Sequence, residues 1–194
     1  MTLANYITLF RILMIPVFVT LTVYYKLPVE QGGGQTWMII TSFFVYGLAA
    51  LSDGIDGYIA RRYHQISNLG KVLDPVADKF LQFSGILVLS YQGSQDMDMF
   101  PLWFVIFFFS REVGLLGGYL IIQHFNQKVR VVPHWTGKTS TALLMVLIGL
   151  MLLDLPWFRF EWMLGVVMIF IVYSTIYYIR DAILQLKEGG QAGI

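Results

Sequence analysis

Residues 53–79 read DGIDGYIARRYHQISNLGKVLDPVADK, and they lie between two long apolar runs, 36–52 and 80–89. Four aspartates stand in this stretch. Asp53 and Asp56 are three residues apart, and Gly57 and Ala60 continue the same helical face. Asp74 and Asp78 are four apart, again one face of a helix. Each pair falls near one end of an apolar segment long enough to be a helix, and only the polar segment Arg62 to Leu69 separates the two. A connection that short makes the helices antiparallel neighbours, so the four carboxylates are expected to converge at one end of a helical pair.

The chain around this stretch is built for a bilayer. Of its 194 residues, 57% are hydrophobic and only 13% charged, and the mean hydropathy is +0.66. Soluble domains carry about 25% charged residues. About 20 apolar residues cross a bilayer as a helix, and six segments qualify, near Ile7 to Tyr24, Thr36 to Ala60, Leu73 to Leu89, Phe100 to Gln123, Thr139 to Leu153 and Trp162 to Leu184. The expected fold is therefore all-α, a polytopic membrane protein of six transmembrane helices, with one domain over residues 1–188 and a flexible tail over 189–194. Met1 to Leu9 has neither a basic leader nor a small-residue cleavage site, so the first apolar stretch is expected to remain as a helix.

Basic residues set the expected orientation. Arg61, Arg62, Lys71, Lys128, Arg130, Lys138, Arg180 and Lys187 fall on one side, whereas the other holds Lys26 and Arg159 with Glu30, Asp96, Asp98, Asp154 and Glu161. Both termini and the aspartate end of the helices are then cytoplasmic, in a cytoplasmic (inner) membrane. Trp37, Trp103, Trp135, Trp157 and Trp162 lie near the span ends, as an interfacial belt requires. A net charge of +1 gives no reason to expect a nucleic-acid surface, and the absence of cysteine excludes disulfides and thiolate metal sites.

Charges inside the spans or at their cytoplasmic ends are the anomaly: Arg11, Asp53, Asp56, Asp74, Asp78, Lys79, Arg111 and Glu112, including five of the twelve acidic residues. A charge at the bilayer centre costs at least ~2.5 kcal/mol, so such groups are functional candidates by default. Ionised carboxylates ~5 Å apart repel by roughly 3 kcal/mol at an effective dielectric of ~20, so the cluster must take up protons or cations. Oxygen ligands without His or Cys suit Mg²⁺ or Mn²⁺, and four carboxylates have the capacity for two ions. Two-metal sites commonly run in-line displacements at phosphorus. Gly57 and Ala60 clear space beside the acids, and Arg61 is a fixed cation able to grip phosphate oxygens. Metal, cation and cleared space together describe a pyrophosphate site.

Written as a pattern, Asp53 to Asp78 is D-x2-D-G-x2-A-R-x8-G-x3-D-x3-D, filled by Asp53, Asp56, Gly57, Ala60, Arg61, Gly70, Asp74 and Asp78. This resembles the signature of the CDP-alcohol phosphotransferase family, and eight such positions match by chance about once in 10⁹ or more starting points. The segment Asn5 to Arg11, the extension from Leu73 to Lys79, the pair Arg111-Glu112, and Gly137-Lys138 are similar to the bacterial branch that uses glycerol 3-phosphate and to its cardiolipin-forming relative. The resemblance implies transfer of a phosphatidyl group from CDP-diacylglycerol to an alcohol acceptor with release of CMP. It implies metal ligands at Asp53, Asp56, Asp74 and Asp78, with Asp78 also the general base. Gly57, Ala60, Arg61 and Gly70 would line the donor nucleotide site, and Arg62, Arg111 and Lys138 would meet an acceptor phosphate. Tyr119 and Leu144 depart from that branch, where arginine and glutamine are common.

Blander readings stand beside these. Arg111 and Glu112 can neutralise one another, and Lys79 can snorkel. His64, His124 and His134 lack ligand spacing. Gly114, Gly117 and Gly118 suit close helix packing, within the chain or in a homodimer. An intramembrane prenyltransferase would need more spans, and a cation transporter would need polar groups through the almost purely apolar outer halves of the helices.

Overall fold

The structure is a computed structural model that describes the backbone of residues 3–62, 70–125, 135–155 and 159–191, and side chains over 6–52, 73–118, 120, 135, 137–155 and 159–184. Six α-helices and one short 3₁₀ turn follow in order, with no strand among the described residues: α1 Leu3–Lys26, the 3₁₀ turn Val29–Gln31, α2 Thr36–Arg62, α3 Gly70–Ser90, α4 Leu102–Phe125, α5 Trp135–Leu153 and α6 Phe160–Gln191. Five of the α-helices contain one of the apolar segments whole, and α4 begins two residues inside the fourth, after Phe100 and Pro101. α6 continues three residues into the stretch expected as a flexible tail, through Gly189 and Gly190 to Gln191.

The described chain divides into two compact units, one of residues 1–100 with 145–158 and the other of 101–144 with 159–194. In the first, three cross-helix pairings set the directions. Arg11 meets Ser52, the Phe18 ring packs at a tilt against Tyr46, and Thr22 meets Ser42, so α1 and α2 are antiparallel. Thr8 meets Asp74, Arg11 meets Asp78, and Lys26 meets Val88, so α1 and α3 are parallel and in register along their lengths. The core between them contains Phe18, Ile39, Tyr46, Ala49, Ala77, Leu81, Ile86 and Leu89. Gly85 lets Ile148 of α5 approach, since a Cβ there would lie 2.9 Å from its side chain.

The reversal from α1 to α2 explains the glycine run at 32–34. Gly32 and Gly34 adopt φ of 82° and 73°, a region open to glycine at little steric cost. At Gly33 a Cβ would sit 2.0 Å from the carbonyl oxygen of Leu27. The turn is closed by Gly34 N–H donating to the Tyr25 carbonyl at 2.9 Å. Lys26, expected in this loop, is instead the last residue of α1 and is buried. Its ammonium donates to the carbonyls of Val88 and Tyr91 at 3.1 and 2.8 Å, which are left without helical partners where α3 ends.

Beside the apolar core, polar side chains are buried between helices while large apolar side chains face outward. Thr8, Arg11, Thr22, Ser42, Ser52, Gln82, Ser140 and Ser174 are buried. Leu51, Val113, Leu116, Ile169 and Ile176 each expose more than 60% of their surface. Trp37, Trp103, Trp135 and Trp162, each within the first three residues of its helix, are also exposed, whereas Trp157 lies outside the described residues. Apolar faces of this extent meet lipid, and tryptophans at helix ends suit its interface. Tyr6–Lys26 and Phe160–Leu184 are long and apolar enough to cross a bilayer, and Thr36–Ser52 and Gly137–Leu153 are shorter apolar helices. The chain is an all-helical membrane protein.

Candidate functional site

α3 opens with a segment whose acids sit one turn apart, and α1 runs beside it in the same direction. The consequence is a paired contact. The Thr8 hydroxyl donates to Asp74 Oδ1 at 2.6 Å, and Arg11 Nη1 donates to Asp78 Oδ1 at 2.5 Å. Arg11 Nε also donates to the Ser52 hydroxyl at 3.3 Å, and that hydroxyl donates to the Ala49 carbonyl at 2.7 Å. Ser52 immediately precedes Asp53 in α2. Arg11 is fully buried, whereas the Asp78 side chain keeps 29% of its exposure. A guanidinium taken out of water costs several kcal/mol unless its partners are well placed. Among the described residues, a carboxylate and a hydroxyl from two other helices are such partners.

Of the four expected metal ligands, the structure describes the side chains of Asp74 and Asp78, both on α3 and both engaged through Oδ1 by α1. Asp53 and Asp56, with the donor-site positions Gly57, Ala60 and Arg61 and the acceptor-site position Arg62, belong to the helical backbone of the last three turns of α2, and the donor-site Gly70 opens α3; their side chains lie outside the described residues. Among the described residues no cluster of three or more metal-ligating side chains forms. The pair that is described fits a hard divalent cation by its chemistry: carboxylate oxygens, no sulfur or imidazole, and partial exposure.

The second unit holds another polar cluster. Arg111 on α4 donates through Nε to the Thr175 hydroxyl at 3.1 Å and through Nη2 to the Ser174 hydroxyl at 3.2 Å, and Nη1 pairs with Glu112. Ser174 is fully buried. The start of α5 approaches α6 closely at Gly137, where a Cβ would stand 2.8 Å from the Tyr178 hydroxyl. Lys138, next in sequence, is exposed. The Arg111–Glu112 pair is therefore formed, and two hydroxyls of α6 fix the guanidinium besides.

Reading the sequence missed Thr8, Ser52, Ser174 and Thr175. Thr8 carried a usable signal, because it lies three residues before Arg11 and shares its helical face. The hydroxyls of α6 carried little, since serine and threonine in apolar helices commonly bond to their own backbone, as Thr175 also does to Ile171 at 2.7 Å.

A helical membrane protein with aspartates one turn apart, held across a helix pair by a hydroxyl and a buried guanidinium, is the class that fold and site define. The chain belongs to the CDP-alcohol phosphatidyltransferase family, whose model matches residues 1–177. It is 32% identical over 154 residues to a probable phosphatidylglycerophosphate synthase of Mycobacterium tuberculosis, covering 79% of this chain and 66% of that protein. It is 26% identical over 208 residues to the CDP-diacylglycerol–glycerol-3-phosphate 3-phosphatidyltransferase of Pseudomonas fluorescens, covering 100% of this chain and 96% of the relative. A CMP-forming cardiolipin synthase of Streptomyces coelicolor is 32% identical over 156 residues, covering 79% and 66%. The chain thus spans just under two thirds of the mycobacterial and Streptomyces relatives.

Proposed function

We infer that the chain transfers a phosphatidyl group from CDP-diacylglycerol to the hydroxyl of glycerol 3-phosphate, releasing CMP. The observation that carries this reading is the held pair Asp74 and Asp78, standing in an intact eight-position signature within the matched region. Asp53, Asp56, Asp74 and Asp78 would hold Mg²⁺ or Mn²⁺, two ions at full occupancy. When bound, the metal supplies charge neutralisation for the donor pyrophosphate and for the departing CMP. Asp78 accepts the hydroxyl proton as the acceptor oxygen bonds to the phosphatidyl phosphorus and the bond to CMP breaks. Gly57, Ala60 and Gly70 leave room for the nucleotide, and Arg61 grips its phosphates. Arg62, Arg111 and Lys138 are each candidate cations for the acceptor's phosphate. The ordered guanidinium of Arg111 supports this role, because a pre-oriented fork loses little freedom on gripping a phosphate.

The catalytic domain covers residues 1–188, spans the inner membrane six times with both termini in the cytoplasm, and opens its site on that side. The excess of basic residues at the aspartate end supports this orientation. Gly114, Gly117 and Gly118 support a homodimer along α4, since a Cβ at any of them would meet nothing within 4 Å. The Streptomyces relative supports a second acceptor, phosphatidylglycerol, which would give cardiolipin. The test is CMP release from CDP-diacylglycerol by the purified chain, with each acceptor in turn. Release that depends on glycerol 3-phosphate is the expected result. Release only with phosphatidylglycerol would select the second reading, and none with any alcohol would exclude both.

A further inference from the structure

We propose that Thr8 and Arg11 are positioning residues of the aspartate site, setting the orientation of Asp74 and Asp78 and tying that pair to the helix that carries Asp53 and Asp56. The inference rests on the reading of these aspartates as ligands of a divalent cation. Three observations carry it. First, the contacts come as a matched set: residues three apart on α1 reach residues four apart on α3, and the parallel run of the two helices puts each pair at its own level. One ion pair between helices is ordinary packing, but two adjacent contacts falling on the two signature aspartates of α3 single out those carboxylates. Second, Arg11 is wholly buried and spans three helices, with Nε on Ser52 of α2 and Nη1 on Asp78 of α3. Any shift of α2 against α3 near residue 53 strains one of these bonds. Third, the Thr8 hydroxyl reaches a carboxylate 66 residues further along the chain, at 2.6 Å.

Carboxylates that bind metal are themselves oriented by hydrogen-bond donors, and removing such a donor typically weakens metal binding or activity about 10- to 100-fold. Arg11 adds a fixed positive charge beside an otherwise acidic cluster, offsetting part of the repulsion among the carboxylates. Thr8, by contrast, orients Asp74 without adding charge. α1 therefore takes part in the site by holding the carboxylates of α3.

The test is a titration of the full-length chain in detergent with Mn²⁺ alone, following the free-ion electron paramagnetic resonance signal, with melting temperatures on the same samples. The set comprises wild type, Asp74→Ala, Thr8→Val, Thr8→Ser and Arg11→Lys. Thr8→Val keeps shape and removes one hydroxyl, and Thr8→Ser restores it. Arg11→Lys keeps the charge and removes the fork that reaches two helices. Thr8→Val and Arg11→Lys are expected to weaken Mn²⁺ binding about 10- to 100-fold, with Thr8→Ser close to wild type. A purely structural role would lower the melting temperature and leave Mn²⁺ affinity intact, and that result overturns the proposal. Should Arg11→Lys fail to fold, Thr8→Val with its serine rescue decides alone. No Mn²⁺ binding by wild type, or binding unchanged in Asp74→Ala, would remove the metal reading and this inference with it. Binding lost in Asp74→Ala but kept in Thr8→Val would remove only the inference.

Discussion

α1 buries two cations against α3, one toward each end, and they are satisfied in opposite ways. Lys26 donates to the backbone carbonyls of Val88 and Tyr91 at the end of α3. Arg11 donates to the carboxylate of Asp78 and the hydroxyl of Ser52 near its beginning. Backbone carbonyls are present at every helix end and need a donor whatever the sequence does. Carboxylates within an apolar helix are costly and have to be put there by sequence. The Lys26 contact is accounted for by helix termination alone, whereas the Arg11 contact presupposes a use for Asp78. On the proposed function, two buried cations on one helix separate a device for folding from a device for chemistry.

The largest effect should follow from removing metal. Chelation with EDTA is expected to abolish turnover and added Mg²⁺ or Mn²⁺ to restore it, measured as CMP release. Full turnover in excess chelator would leave the Arg11 end with no more chemistry than the Lys26 end. Next comes Asp78→Asn, which keeps size and one oxygen ligand but no basic carboxylate. Transfer should fall by ~10² or more while affinity for CDP-diacylglycerol is largely kept. Equal loss of donor binding and rate would make Asp78 chiefly a ligand.

At the other end, Lys26→Met should cost about 1–3 kcal/mol of stability, since it leaves two carbonyls without their charged donor. Turnover per folded molecule should be unchanged, as read by thermal unfolding and CMP release on one preparation. A fall in turnover at constant stability would erase the contrast between the two cations. The smallest expected effect is in the second unit. Ser174→Ala removes one of the hydroxyls that hold Arg111 and should cost about 1 kcal/mol of stability. If Arg111 meets the acceptor, the KM for glycerol 3-phosphate should rise as well, and the KM for CDP-diacylglycerol should not.

The helices were legible because long, mostly apolar runs have few alternatives in a membrane. The aspartates stood out because their spacing repeats the helical period and their cost inside an apolar chain demands a cause, and the structure describes the side chains of two of them, Asp74 and Asp78. The contacts of α1 were not. Arg11 stood out as a charge within a span, but its partner depends on α1 and α3 running parallel, a pairing between segments 67 residues apart that leaves no local mark. Lys26 was read as a loop charge, because helix ends have no sharp signal where the turn residues begin one position later. Ser174 and Thr175 were hidden for a different reason, since hydroxyls bonded to their own helix and hydroxyls serving a guanidinium look alike in sequence.

The central claim is that the α3 aspartates, held by α1, carry phosphatidyl transfer. The most direct test compares wild type and Asp74→Ala in one detergent preparation, with Mg²⁺ or Mn²⁺, CDP-diacylglycerol and radiolabelled glycerol 3-phosphate, counting released CMP against label in extracted phospholipid. The expected result is one CMP for each labelled lipid in the wild type and neither product above background in a folded Asp74→Ala. Equal product from the two proteins would contradict the claim.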